Sequence, residues 1–423
     1  MTTKFIQMKI YIYYLTIASF VLTFSFSNAQ SWTQLSIPES PSRYDDVFFL
    51  DENLGWAADG AGASVYKTTD GGQTWNRQLT TDSDYFRNIE FLDENIGFLG
   101  SLNPKFYKTA DGGETWDIVS IPGVQAICGW DAVGESTVYG CGAYFEPAYI
   151  IKSTDSGENW EFIDMSLYAT SLVEVLFSDE LTGYAAGGNN EGGVILKTTD
   201  GGETWTEIYN TGVPGEQVWK LQILFSDSNF MFAAVNAFDP LPGKLLKSND
   251  AGASWVSKDV WDPFIQGVGF ISENHGWMGG HNSGFLETFD GGDTWDDTGF
   301  GWSLNRFQVF DENLVYCSGR SIYKYTDNLS TNEWTPRPKD MEITVAPNPV
   351  QDVLKISVDF QRADHLVITL FDENGRLIKQ LLRETIDSKG KKSYQFDFPQ
   401  KSGVYYLQFH YDLGYQSKKI IKK

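Results

Sequence analysis

Apolar residues along this chain come in short runs separated by a few polar or glycine positions. Val47-Phe48-Phe49-Leu50 is one such run, and Asp51-Glu52-Asn53 closes it with turn formers. Leu54-Gly55-Trp56-Ala57-Ala58 is a second, ended by Gly60-Ala61-Gly62-Ala63. Ser64-Val65-Tyr66-Lys67-Thr68 is a third, ended by Asp70-Gly71-Gly72, and Thr74-Trp75-Asn76-Arg77-Gln78 is a fourth. Runs this short, rich in β-branched and aromatic residues and bounded by Asp, Asn and Gly, read as strands. Asp-Gly between two of them is a strong hairpin signal, because the carboxylate caps its own backbone and glycine takes φ > 0. The unit therefore predicts four antiparallel strands and leaves a tryptophan that one small sheet cannot cover.

The unit repeats. The nonamer at residues 67–75 returns at 108–116, 152–160, 197–205, 247–255 and, with Glu287 in place of the first lysine, 287–295. A decayed seventh copy starts at Lys324 and reaches its tryptophan late, at Trp334. The central aspartates, Asp70, Asp111, Asp155, Asp200, Asp250, Asp290 and Asp327, are spaced 41, 44, 45, 50, 40 and 37 residues apart. Four strands per period of this length predict the blades of a β-propeller, seven in number. Ser31-Trp32-Thr33-Gln34-Leu35 reads as a fourth strand without its first three, placed to close the ring on the last blade.

The motif resembles the Asp-box repeat of bacterial neuraminidases, Ser/Thr-x-Asp-x-Gly-x-Thr/Ser-Trp, here Thr68, Asp70, Gly72, Thr74 and Trp75 and their later equivalents. The pairs Gly55-Trp56, Gly97-Phe98, Gly183-Tyr184 and Gly276-Trp277 resemble the form seen in photosystem II stability/assembly factor-like propellers. This resemblance covers residues 31–340 and implies a fold, because the Asp box is a hairpin device shared by sialidases, receptors and assembly factors. Asp70, Trp75, Asp111, Trp116, Asp155, Trp160, Asp200, Trp205, Asp250, Trp255, Asp290 and Trp295 are accordingly assigned structural roles, and no catalytic residue is assigned.

Residues 1–29 read as a signal peptide: Lys4 and Lys9, an uncharged run over 10–26, then Ser27-Asn28-Ala29. Residues 30–340 are the propeller and 341–423 a separate domain. The whole chain carries 32 basic and 56 acidic residues, a net charge of −24. The propeller holds nearly all of the excess, −29, while the last 83 residues are net +3. So acidic a surface repels phosphate backbones and argues against nucleic acid as a partner. Cys128 and Cys141 flank a predicted hairpin and are candidates for a disulfide in an exported chain, while Cys317 reads as a buried filler. His275 and His281 are not at metal-ligand spacing, so no metal and no cofactor is expected. After signal removal no transmembrane anchor is expected, and the protein is expected to be a monomer.

From residue 341 the repeat stops and alternation takes over, as in Leu354-Lys355-Ile356-Ser357-Val358, which suits a small Ig-like β-sandwich. Ala346-Pro347-Asn348-Pro349, Asp372-Glu373-Asn374-Gly375-Arg376, Gly403-Val404-Tyr405-Tyr406 and the basic end Lys418 to Lys423 resemble the type A sorting domain of the type IX secretion system. The resemblance implies a translocon as partner of residues 341–423 and a destination at the outer cell surface or outside the cell.

Strand order puts the Asp boxes on one face of the ring. The segments that vary in length, such as 144–148, 187–193, 236–243, 117–127, 209–216 and 258–266, fall on the other, where binding is expected. Arg43, Arg87, Lys220 and Arg306 each precede or open an inner strand and are expected at that face. So are Tyr44, Tyr85, Phe86, Trp219, Trp261, Phe264 and Trp302. The ligand-binding candidates are Arg43, Arg87, Arg306, Trp219 and Lys220, with guanidinium groups to hold a carboxylate. Pairing of those arginines with Asp45, Asp46 or Glu90 is the competing outcome. As surface residues, the three arginines would cost no more than about 1–2 kcal/mol when changed to alanine. The expected function is a non-catalytic propeller that binds a protein or glycan. Glycoside hydrolysis by two of its many carboxylates is the first alternative, and an assembly-factor-like scaffold for an envelope complex the second. No arginine lies between Arg87 and Arg306, which removes the three-arginine site a sialidase needs.

Overall fold

The computed structural model describes residues 31–145, 147–238, 240–326, 341–360, 364–372, 377–398, 401–411 and 414–423. The signal segment at 1–29 and the decayed box at Asp327 and Trp334 lie outside the described residues. Seven four-stranded antiparallel sheets fill residues 31–326. Their innermost strands are Tyr44–Phe49, Phe86–Phe91, Gly129–Val133, Ser171–Phe177, Gln217–Ile223, Ile265–Phe270 and Phe307–Val309. Each inner strand touches the next, and the last touches the first, so the sheets close as the seven blades of a propeller. The chain start completes blade seven: Ser31–Gln34 pairs with Ile322–Thr326, Trp32 opposite Tyr325. The first open edge and the last thereby cover each other.

From Met341 onward the chain forms a three-stranded and a four-stranded antiparallel sheet. Leu354, Ile356, Ile368, Leu370, Leu407 and Phe409 are buried between them, the core of a β-sandwich. Among the described residues no helix is long and apolar enough to cross a membrane.

The six described Asp boxes share one geometry. In the first, Thr68 Oγ1 donates to Asp70 Oδ1 at 2.8 Å and accepts Gly72 N–H at 2.9 Å. Thr74 gives Asp70 its N–H at 2.9 Å and its hydroxyl at 2.6 Å. The turn needs two positive φ angles, 68° at Gly71 and 89° at Gly72, which only glycine adopts without strain. In boxes three and five the first of these is Ser156 or Ala251, held at φ 58° and 54°. The same bonds hold Asp155, Asp200 and Asp290 at about 2, the largest cause being the Asn159, Thr204 and Thr294 side chains. Stability from these carboxylates is therefore present above the ordinary Asp range and lost as pH falls toward about 2.

The lysine that opens each nonamer joins one blade to the next. Lys67 Nζ reaches the carbonyl of Gly112 in the second box at 2.8 Å, and Trp56 Nε1 donates to that oxygen at 3.1 Å. Lys152 and Tyr139 do the same at Gly201, at 2.8 and 2.9 Å. Lys197 and Tyr184 meet Ala251 O at 3.3 and 3.2 Å, and Lys324 of blade seven meets Gly71 O at 3.3 Å. The lysine lies over its aromatic partner in each case, 5.1 to 5.7 Å from the ring centroid. Blade six, whose following box has lost its Gly pair, carries Glu287 there, and it turns inward to Trp277 Nε1 at 3.0 Å. Below the clip, Phe49, Phe91 and Phe177 end their inner strands stacked on Tyr316, Trp56 and Tyr139 of the preceding blade at 3.6 to 3.8 Å. Each then takes its own box tryptophan edge-on, Trp205 against Phe177 at 6.2 Å.

Trp205 is 4% exposed within the cluster shared by blades three and four. Trp205→Ala is expected to cost roughly 3–5 kcal/mol, as large-to-small core changes do. Lys152→Met keeps the stem and removes the charged donor, and should cost about 1.5–3 kcal/mol. Urea unfolding monitored by tryptophan fluorescence checks both.

Candidate functional site

The turn that follows each inner strand hydrogen-bonds to the Asp-box turn of the same blade, Gly71 N to Asn53 O and Gly112 N to Asn95 O for example. The inner strands thus run from the opposite face toward the Asp-box face, and their side chains line the axis in tiers. Inner strands of blades 1, 2, 4, 5 and 6 carry a β-bulge near their start. A bulge sets two residues against one and re-aims a side chain. Here it adds Asp45, Arg87, Val173, Trp219 and Gln266 to an upper tier. Asp46, Asn88, Glu174, Lys220 and Arg306 form the tier below. Phe48, Glu90, Asp131, Leu176, Gln222 and Gln308, each one residue before the end of the paired segment or two before it, form the lowest.

The structure brings the five candidates together along the axis, each against an acid or a ring. Arg43 donates from Nε and Nη2 to Asp45 Oδ1 at 3.2 and 2.9 Å, and its Nη1 is buried without a partner. Arg87 donates to the same oxygen and lies over the Trp219 ring, 5.3 Å from its centroid. Arg306 donates to Asp46 at 2.8 Å and, across the axis, to Glu174 at 3.4 Å. Lys220 holds Glu174 at 2.6 Å. The three arginines therefore sit at three heights. Arg43 and Arg87 are 4% and 6% exposed, so the mild cost expected of surface residues does not hold for them. Arg306→Ala would leave Asp46 and part of Glu174 uncompensated inside the ring.

Of the aromatics expected at the open face, Tyr44 and Phe86 are instead core residues, edge-on to Tyr66 and Tyr107. A residue opening an inner strand can point between blades as readily as toward solvent, and these two do. Trp302 is covered by the C-terminal domain, stacked on His365 at 4.6 Å and 5.0 Å from Arg383, which also bonds Asp297 at 2.6 Å. Trp261 is exposed on the link between blades five and six, and Tyr144, Phe145 and Phe238 are exposed on the long loops of blades three and five. Tyr144 reaches the Trp219 ring at 6.3 Å, and Phe238 meets Phe264 at 5.9 Å. Next to them His281 is pushed down to about 4, first by burial and then by Arg43 and Arg87. Cys128 and Cys141 are both free and buried. The hairpin pairs Cys141 with Gly129 rather than Cys128, so Cys128 faces the axis while Cys141 packs between blades.

The sequence pointed to Glu90 only as a partner for an arginine and passed over Asp131. Both line a cavity of about 770 Å³ in the channel, whose wall runs through Gln222 and the turn at Ser226, Asp227 and Ser228 to the Asp-box face. Burial raises both carboxyls, Glu90 well above the usual range with Asp131 as the next cause, and Asp131 to about 8. The available signal was an acid at one position near the end of two adjacent, otherwise mostly apolar inner strands. Among the described residues no cluster of His, Cys, Asp or Glu could hold a metal ion.

Two measurements follow from the axis. Arg306→Ala is expected to destabilise by about 3–5 kcal/mol, the cost of breaking a buried ion pair from one side, read from denaturant midpoints. Asp131 keeps its proton in the folded state well above the unfolded value, so its contribution declines as pH rises from about 4 to about 8. Asp131→Asn retains an acceptor for Phe177 N–H, which Asp131 Oδ2 takes at 2.7 Å. It should flatten the fall of the melting temperature between pH 5 and pH 8.

Comparison with known proteins places a Secretion system C-terminal sorting domain at residues 344–423 and a Photosynthesis system II assembly factor YCF48 domain at residues 24–122. The chain is 32% identical over 100 residues to the chloroplastic photosystem II stability/assembly factor HCF136 of Guillardia theta. That match spans 23% of this chain and 24% of the relative. Among solved structures, YCF48 bound to D1 peptide is similar at 20% identity and a TM-score of 0.54, over 70% of this chain and 96% of that one. PorZ, a surface component of the type-IX secretion system of Porphyromonas gingivalis, is similar at 13% identity and a TM-score of 0.51, over 92% of this chain and 61% of that one. At these identities the structural likeness shows the fold. The sorting domain directs the protein to the type IX system and to the cell surface or beyond.

Proposed function

We propose that this is a non-catalytic propeller that binds a protein segment outside the cell, on the face opposite the Asp boxes. The observation that carries the reading is the group of exposed rings on that face. Phe238 is 64% exposed, Trp261 56% and Tyr144 49%, and the loops that carry Phe238 and Tyr144 are longer than their counterparts in the other blades. Soluble proteins keep large rings covered unless a partner covers them, and Trp and Tyr are favoured anchors at such contacts. Beneath the rings, Arg43 Nη1 and Trp219 Nε1 are buried donors without partners, suited to a carboxylate or carbonyl of the bound segment. Asp45 neutralises part of the Arg43 and Arg87 charge, so the arginines orient the partner more than they attract it. A propeller of the same fold in complex with a peptide supports the choice of a protein segment over a glycan.

The double change Trp261→Ser and Tyr144→Ser should leave the melting temperature nearly unchanged. It should weaken capture of surface proteins by the purified chain at least tenfold, measured by cross-linking and mass spectrometry. Undiminished capture by the folded variant, or saturable binding on a glycan array with no protein captured, would replace this reading. Deleting residues 341–423 should leave the protein in the periplasm, checked by cell fractionation.

A further inference from the structure

Down the axis, most buried charges have a partner. Asp45 holds Arg43 and Arg87, Asp46 holds Arg306, and Glu174 holds Lys220 and Arg306. Of the five acids on the inner strands, two have no cationic partner within ion-pair distance, Glu90 and Asp131. They belong to neighbouring blades and occupy the same height: Glu90 lies opposite Phe98, and Asp131 opposite Tyr139. The other polar positions of this tier are tied down. Gln222 exchanges two bonds with the Phe270 backbone, at 2.8 and 2.6 Å, and Gln308 does the same with Phe49, at 2.7 and 2.6 Å. Phe48 and Leu176 complete it with apolar surface. The lowest tier thus shows the cavity an apolar wall and one pair of carboxyl groups.

We infer that the Asp-box end of the channel is a second binding site, for a primary ammonium or guanidinium group on an aliphatic stem, received between Glu90 and Asp131. The stem would lie along Phe48 and Leu176, and the cavity of about 770 Å³ has the size of a small-molecule site. This site lies at the opposite end of the channel from the aromatic loops and is independent of them. Arg306 and Lys220 approach from the tier above but are engaged by Asp46 and Glu174, and Asp227 adds a further acid at the rim. Burial raises both carboxyls, Glu90 well above the usual range and Asp131 to about 8, so the pair is protonated at neutral pH. Entry of the cation converts at least one of the two carboxylic acids to a carboxylate and releases its proton to solvent. Ammonium and guanidinium remain charged throughout this range. Affinity therefore rises with pH until Asp131 ionises unaided.

The test is calorimetric titration of the full chain with two probes, spermidine and a capped trilysine peptide, at pH 6.5, 7.5 and 8.5. The expected result is saturable binding of at least one probe, tightening severalfold to about tenfold per pH unit below pH 8. Heats that vary with buffer should report proton release on binding. Tighter binding of spermidine assigns the site to free polyamines, and tighter binding of the peptide to a basic segment. Glu90→Gln and Asp131→Asn, which keeps the Phe177 bond, should each weaken binding at least tenfold, while Trp261→Ser should not alter it. Absence of saturable binding by both probes overturns the inference. So does pH-independent binding, or binding that both folded neutral variants retain.

Discussion

A propeller stands or falls on how each sheet holds the next, because one four-stranded sheet cannot bury its own rings. Here that task falls to one carbonyl oxygen per turn. In four of the six described Asp boxes the turn directs a carbonyl back at the preceding blade, where a lysine and, in three of them, an aromatic side chain donate to it. The Asp carboxylate, by bonding the flanking hydroxyls and N–H groups, holds the turn in the shape that aims this oxygen. The box is therefore more than a hairpin closure. Its aspartate acts on the neighbouring blade through the backbone, and the lysine that opens the preceding box supplies the charge-assisted bond. The substitution of Glu287 for that lysine before the one box without glycines fits the same logic.

The axis obeys a different rule. Burying charge costs free energy unless each charge finds an opposite one with hydrogen bonds around it. Five bulged inner strands bring consecutive residues to the centre, and alternating acids and bases from blades 1, 2, 4, 5 and 7 neutralise one another there. Bonds such as Arg306 to Glu174 cross from blade seven to blade four, so the network ties opposite sides of the ring as the clips tie adjacent ones. The upper part of the channel is in this way closed by polar side chains, and the lower part is left open above the Asp-box face.

The two ends of the channel consequently differ in chemistry. One presents exposed rings over paired arginines, on loops free to vary because they leave the sheets. The other presents two carboxyl groups in a cavity walled by the inner strands. The sorting domain lies against the loops between blades six and seven, where Trp302 is stacked under His365.

Much of this was legible in residue order. Spacing of the Asp boxes announced the blades, turn chemistry announced the hairpins, and the Trp32 strand announced ring closure, because each depends on residues near in sequence. The break at residue 341 was marked by the end of the repeat and a change in charge. What the arginines do was not legible. Whether Arg43, Arg87 and Arg306 meet a ligand or Asp45 and Asp46 depends on bulges that shift side chains by one position, and on blades that come together only when the ring closes. The same holds for Tyr44 and Phe86, whose apolar neighbours belong to other strands, and for Glu90 and Asp131, which are unremarkable acids until the axis places them side by side. Local hydrogen bonding is written in short motifs. The pairing of charges across a closed ring is a property of the ring alone.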